Sequence, residues 1–280
     1  MNSGLTDGEQ PLSAHGAQLR DDDRHEEALP ILRSAVAAAE PDAPRLLALT
    51  LMESGDKQAA ADVLVQAVAA GQTHLAGLLG DVADDLGNAE LAESSYRQAI
   101  AAGDSDALND YGTFLRGQER YDEAIAAFTR AIHAGDALAP GNLVRLHLHD
   151  LEDVDTAERL GRQYLDEAKP TTYTALADVC AQREKLDEAE EMYRKSVALK
   201  APKAHINYAN FLWEERDDDV GAERELRLAK EEDEPGWGYE LGFFLAEHDR
   251  TDDARDVLEH AASWGDLDAR ELLDDLDSQQ

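Results

Sequence analysis

The sequence is short of cysteine, aromatic residues, positive charge and long apolar runs. Cys180 is the single cysteine in 280 residues, so an internal disulfide and a cysteine zinc cluster are both excluded. Aromatics make up 6% of the chain while alanine is frequent, a balance that favours close-packed helices over a β-sandwich. No stretch approaches the roughly 18 uncharged apolar residues of a membrane span. Met1 to Gln10 has neither the basic head nor the apolar core of a signal peptide. These absences lead us to expect a cytoplasmic protein in a reducing compartment. Lys and Arg number 26 against 61 Asp and Glu, a formal charge of −35. Such a surface repels phosphates and anionic lipid, so neither nucleic acid nor membrane is expected as a partner.

What the chain does have is a repeat. Residues 106–136, DALNDYGTFLRGQERYDEAIAAFTRAIHAGD, read as two helices with a turn between them. Leu108, Tyr111 and Leu115 share one face of the first; Tyr121, Ala124, Ile125, Phe128, Ala131 and Ile132 share one face of the second. Alanines equivalent to Ala124 stand at Ala28, Ala60, Ala92, Ala157, Ala189, Ala222 and Ala254, with successive gaps of 32, 32, 32, 33, 32, 33 and 32 residues. Other columns keep step. Leu32, Leu64, Tyr96, Phe128, Gly161, Tyr193, Leu226 and Leu258 follow the anchor by one turn. Earlier, in the first helix, a small column runs Gly16, Ala48, Gly80, Gly112, Arg145, Ala177, Ala209 and Gly242. The pattern predicts that each small residue faces the alanine anchor, letting two helix axes approach closely. One pair buries too little to be stable alone, so the pairs must stack.

Connectors between pairs take two forms. Gly71, Gly103, Gly135 and Gly265 are placed to end a helix in the left-handed conformation, and Asp104, Asp136 and Asp266 follow as candidate N-caps. The other connectors carry Pro41, Pro170, Pro202 and Pro235, which stop a helix by lacking the N–H donor. The fifth pair departs from the pattern. Arg145 occupies the small column, Gly161 replaces a large residue and Tyr164 replaces a small one, which predicts that Tyr164 fills the volume Gly161 leaves. The seventh pair has one extra residue, placed in its turn at Asp217 to Asp219.

These columns resemble the tetratricopeptide repeat, through Leu79-Gly80, Tyr111-Gly112 and Leu241-Gly242 in first helices and Tyr121, Ala124, Phe128 and Ala131 in a second. The resemblance covers nearly all of residues 10–280. It implies an all-α fold: a right-handed superhelical solenoid of about eight antiparallel helix pairs with a C-terminal capping helix at 267–280. Residues 1–9 are expected to be disordered, and 10–280 to form one solenoid. It further implies a concave groove walled by the first helices, binding other proteins without chemistry of its own. Mapped onto this chain, that groove presents Asp81, Asn109, Asp110, Thr113, Arg116, Asn142, His149, Asp178, Asn207, Asn210, Trp213, Tyr239 and Phe243, with Asp84 and Thr174 beside them. A side-chain amide can donate to and accept from an extended peptide at once, and the three aromatics can anchor one.

Tests for chemistry are negative. The sequence contains no glycine-rich phosphate loop and no nucleophile elbow. Cys180 lies at an apolar helix position, as a buried thiol would. His147 and His149 are two residues apart, about 200° around a helix, and cannot share a metal. The acidic runs at Asp21–Asp23, Asp84–Asp85, Asp217–Asp219 and Asp252–Asp253 lack the alternating ligands and central glycine of a calcium loop. No cofactor, metal or catalytic residue is expected. Family members that grip an acidic C-terminus need inward lysines; here Lys203 is the one candidate, and Asp81, Asp110 and Asp178 would repel a carboxylate. The sequence reads as an interaction scaffold or adaptor for a basic or neutral extended segment. The alternative is an acidic regulatory or inhibitory subunit that binds a basic protein through its outer surface.

Overall fold

The computed structural model describes residues 11–278, and no strand occurs among them. The expected disorder at residues 1–9 lies outside that range. Eight helix pairs follow one another. They are α1 (Leu12–Asp21) with α2 (His25–Ala37), α3 (Ala43–Glu53) with α4 (Lys57–Ala69), α5 (Ala76–Asp85) with α6 (Ala89–Ala101), and α7 (Ala107–Gly117) with α8 (Tyr121–Ala134). Then come α9 (Ala139–Arg145) with α10 (Val154–Gln163), α11 (Thr171–Gln182) with α12 (Leu186–Ala198), α13 (Ala204–Arg216) with α14 (Asp219–Glu231), and α15 (Trp237–Glu247) with α16 (Thr251–Ser263). A last helix, α17 (Leu267–Ser278), packs on α16. The pairs fall into two compact bodies, one ending at Asp136 and the other beginning at Ala137.

All eight anchor alanines are completely buried. The small column has a different partner from the one expected. A Cβ on Gly80 would lie 2.6 Å from the Tyr96 ring, and one on Gly112 2.7 Å from the Phe128 ring. The small residue thus makes room for the large side chain one turn after the anchor, and not for the anchor itself. Helical side chains lean towards the N-terminus, so Phe128 points back over α7.

Both turn types share one backbone device. The residue five before every anchor has positive φ, and only Gly55 and Gly87 of the eight are glycines; Glu119 and Glu184 are typical of the rest. Gly71, Gly103, Gly135 and Gly265 are left-handed as expected, and Ala39, Lys200 and Asp233 take the same conformation in connectors that carry proline. Four second helices are capped by a side chain, from Asp56, Asn88, Asp153 and Asp218, each stabilising by ~1 kcal/mol. Asp266 caps α17 through the Ala269 N–H at 3.0 Å.

The two 33-residue gaps have one cause. In the fourth pair the Arg120 N–H donates five residues back, to the Leu115 carbonyl; in the fifth and seventh, Asp153 and Asp218 donate six back, to His147 and Leu212. The extra residue therefore lies at the end of the first helix both times, and in the fifth pair it winds Leu146–Asp150 into a π-helix. This corrects the register of the fifth pair. Val144, wholly buried, holds the small-column place, and Arg145 lies one residue further, partly exposed. Tyr164 does not fill the space at Gly161. Leu176 of α11 reaches 3.0 Å from where a Gly161 Cβ would be, while Tyr164 sits half-buried just past α10, with the Lys169 ammonium 5.9 Å from its ring.

One inter-pair module occurs in each body. Tyr96, Tyr111 and Phe114 cluster with ring centroids 5.7 to 6.1 Å apart, and Tyr193, Tyr208 and Phe211 do the same at 4.9 to 6.5 Å. Each aromatic pair stabilises by ~1 kcal/mol beyond its burial. Beside the first cluster, Glu93 accepts from the Tyr111 hydroxyl at 3.0 Å and pairs with Arg97 and Arg120. Beside the second, Glu190 accepts from Tyr208 at 3.2 Å and pairs with Arg194 and Arg216.

Candidate functional site

Within each body, neighbouring first helices lie side by side: α5 on α7 in one, α9 on α11 and α11 on α13 in the other. The residue after the small column then forms a row along the shared face. That row is Asp81 and Thr113 in the N-terminal body, and Arg145, Asp178, Asn210 and Phe243 in the C-terminal one. A second row, two residues before the column, adds Asp110 to the former and Asn142, Asn207 and Glu240 to the latter.

In the N-terminal body the face is acidic. Asp81 accepts a hydrogen bond from the Tyr96 hydroxyl at 2.9 Å. Burial, then the negative charge of Asp110, pushes its carboxyl up to about 6. Asp110 is also raised, first by burial and then by Asp136, although the Asn109 amide, 3.3 Å away, counters this. Neither carboxylate pairs with a lysine or arginine among the described residues. Asp84 is largely exposed, and partial desolvation by its neighbours and the charge of Asp85 shift its carboxyl up. Asn109 itself is only 5% exposed, so it orients Asp110 more than it faces solvent. Thr113 is exposed and donates to the Asn109 carbonyl at 3.2 Å, and Arg116 lies partly exposed near the end of α7.

In the C-terminal body the face is neutralised and aromatic. Asp178 accepts from the Tyr193 hydroxyl at 2.6 Å and pairs with Arg145 at 3.3 Å. Asn207 donates to the Lys203 carbonyl at 2.6 Å, and Glu240 has its carboxyl raised by burial, with the nearby Asn210 amide and Lys203 ammonium opposing the shift. Thr174 is buried against Ser196, with 2.5 Å between hydroxyl oxygens. Asn142 is half-buried on α9, and His149 is exposed in the π-helix. Trp213 meets Phe244 edge-on at 5.2 Å and Phe243 at 6.0 Å, and Tyr239 stacks on Phe243 at 5.9 Å. Cys180 is fully buried, which pushes its thiol up to about 11, away from nucleophile chemistry.

Two face residues escaped the sequence reading. Arg145 was hidden by the register of the fifth pair. Glu240 carries no motif; its signal is its place two residues before Gly242, matching Asp110 before Gly112.

Stacked helix pairs that expose a row of first-helix side chains define a repeat scaffold, a class that is typically non-catalytic and serves protein interaction. The comparisons make the class specific: tetratricopeptide repeat models match residues 78–142 and 170–203, so the chain carries tetratricopeptide repeats in both bodies. Its fold is similar to that of a tetratricopeptide repeat protein from Parabacteroides merdae, with 16% identity, 94% of this chain and 96% of that one covered, and a TM-score of 0.53. It is also similar to yeast Tom70, with 14% identity, 100% and 66% covered, and a TM-score of 0.69. A third is the human IFIT1 dimer with m7Gppp-AAAA, at 15% identity, 92% and 73% covered, and a TM-score of 0.55. No curated protein sequence matches the chain. No described helix is long and apolar enough to cross a membrane.

Proposed function

We propose that the chain is an adaptor that binds an extended basic segment of another protein along its first-helix faces, with Asp81 and Asp110 as the charge-reading residues. The observation that carries this reading is the half-buried pair of carboxylates, neither of which is in an ion pair with a lysine or arginine among the described residues. Leaving charge there is costly. A lysine or arginine entering between Asp81 and Asp110 repays that cost and draws both carboxyls back down. In the C-terminal body, Asn142 and Asn210 offer amides for a peptide backbone, and Trp213, Tyr239 and Phe243 offer apolar anchorage. The same carboxylates disfavour a nucleic-acid ligand of the kind one fold relative carries. Binding through the outer surface is the weaker reading, because Glu93, Glu158, Glu190 and Glu223 on the second helices are already held by arginines.

Peptide display against the full chain tests this, repeated on the double variant Asp81→Asn, Asp110→Asn. Enriched peptides should carry net positive charge and bind the variant about tenfold more weakly, the effect of one lost charge-assisted contact. Circular dichroism checks that the variant folds. Enrichment of acidic or neutral peptides, or equal affinity for both proteins, would defeat the proposal.

A further inference from the structure

A recess in the C-terminal body lies apart from the candidate face, where the connector after α14 meets the end of α16. Its volume is about 590 Å³, ample for one long side chain. Its walls are aromatic. Trp237 opens α15, the His260 ring lies 5.9 Å from it, and Trp264, just past α16, lies 6.2 Å from His260. Trp264 is 71% exposed, an indole left in water with most of its surface uncovered.

The rim is acidic, formed by Asp233, Glu234 and Asp266. Glu234 is committed to the backbone N–H groups of His205 and Ile206, and Asp266 to that of Ala269. The Asp233 carboxylate makes no ion pair among the described residues, on an exposed left-handed turn. One cation already uses the aromatic wall. The Lys230 ammonium stands 4.8 Å from the centre of the Trp237 ring, on an otherwise exposed side chain.

We infer that this recess receives an arginine side chain of a partner protein, its guanidinium stacking on the indoles of Trp264 and Trp237 and facing Asp233 in place of Lys230. Three carboxylates against the Lys230 ammonium and that of Lys203, which stands 3.6 Å from where a Cβ on Gly236 would lie, leave the recess net negative, which turns away an anionic group. A purely apolar side chain would cover the indoles and leave the rim unanswered. A guanidinium answers both, being flat, weakly hydrated and suited to ring faces, where an ammonium is a compact and strongly hydrated point charge. The recess shares no residue with the first-helix rows, so this inference and the proposed function stand or fall separately.

The chain has 3 tryptophans, so the full-length ¹⁵N-labelled protein gives one indole N–H signal from each. The probe is the blocked tripeptide acetyl-Gly-Arg-Gly-amide, with the citrulline peptide as its uncharged counterpart. The arginine peptide should shift the Trp237 and Trp264 signals saturably and leave Trp213 in place. The citrulline peptide should bind roughly threefold to thirtyfold more weakly, the range expected for a lost cation–π contact. Trp264→Ala, which removes a ring that packs little, should weaken the arginine peptide by a similar factor, and Lys230→Met should tighten it. The inference is overturned by equal binding of the citrulline peptide, by unchanged affinity in Trp264→Ala, by weaker or equal affinity in Lys230→Met, or by a response centred on Trp213.

Discussion

Asp81 and Asp178 hold the same place in the repeat, three repeats apart, and have opposite surroundings. Each follows the small column, each accepts a tyrosine hydroxyl, from Tyr96 or Tyr193, and each tyrosine belongs to the same aromatic module. The difference comes from neighbouring helices. Asp178 has Arg145 on the preceding first helix, where Asp81 has Leu49; on the following first helix Asp81 has Asp110, where Asp178 has Asn207. One body thus presents unanswered carboxylates and the other a closed ion pair on the same framework. The repeat sets where a side chain stands, and residues about one repeat away decide its charge.

The largest effect is expected from opening the closed pair. Arg145→Ala leaves Asp178 partly buried without a cation and should lower stability by ~2 kcal/mol, read from the urea midpoint. Adding Asp178→Asn should restore most of that loss, and a double-mutant cycle showing independent effects would dissociate the two residues. Transplanting the pair is the converse. Leu49→Arg should place a guanidinium beside Asp81, lower its carboxyl from about 6 to the ordinary range or below, and weaken binding of a basic peptide about tenfold. An unchanged Asp81 titration by carbonyl NMR would show that position 49 is not the counterpart of Arg145.

Smaller effects follow from pH. The folded carboxyl of Asp81 lies above its unfolded value, so protonation stabilises the fold. That stability is present in acid and fades as pH rises through about 6. Asp81→Asn should therefore stabilise by ~1 kcal/mol at neutral pH, allowing for solvent screening, and by little near pH 4 in thermal melts. Glu158 behaves in the opposite sense. Hydrogen bonds from Lys185 and Arg162 hold its carboxyl down at about 2, so its contribution is present above the ordinary carboxylate pKa and is lost as pH falls towards 2. Glu158→Gln should cost about 0.5 kcal/mol at low salt and nothing measurable in 1 M salt.

The framework could be read directly from residue order because close helix approach tolerates few side chains. The eight anchor alanines and the connector glycines therefore announced both pairs and turns. The fifth pair was misread for a physical reason: an inserted residue fits a connector or a helix end equally well in a list of columns, and only the backbone bond from Asp153 to His147 decides between them. Asp81 was visible as a position, but its raised carboxyl was not, because Asp110 and Leu49 stand on other helices. The aromatic recess was also invisible, since Trp237, His260 and Trp264 come from different elements and form no motif.

The left-handed residue five before each anchor has a consequence for how the chain can change. Every second helix is re-entered through the same turn, so a surplus residue in a first helix is absorbed before the turn and goes no further. The fifth pair absorbed one by local winding and the seventh by a wider closure, and the anchors downstream kept their step. An insertion in this part of a pair stays local. The protein can lengthen one first helix by a residue without scrambling the rows of charge on those that follow.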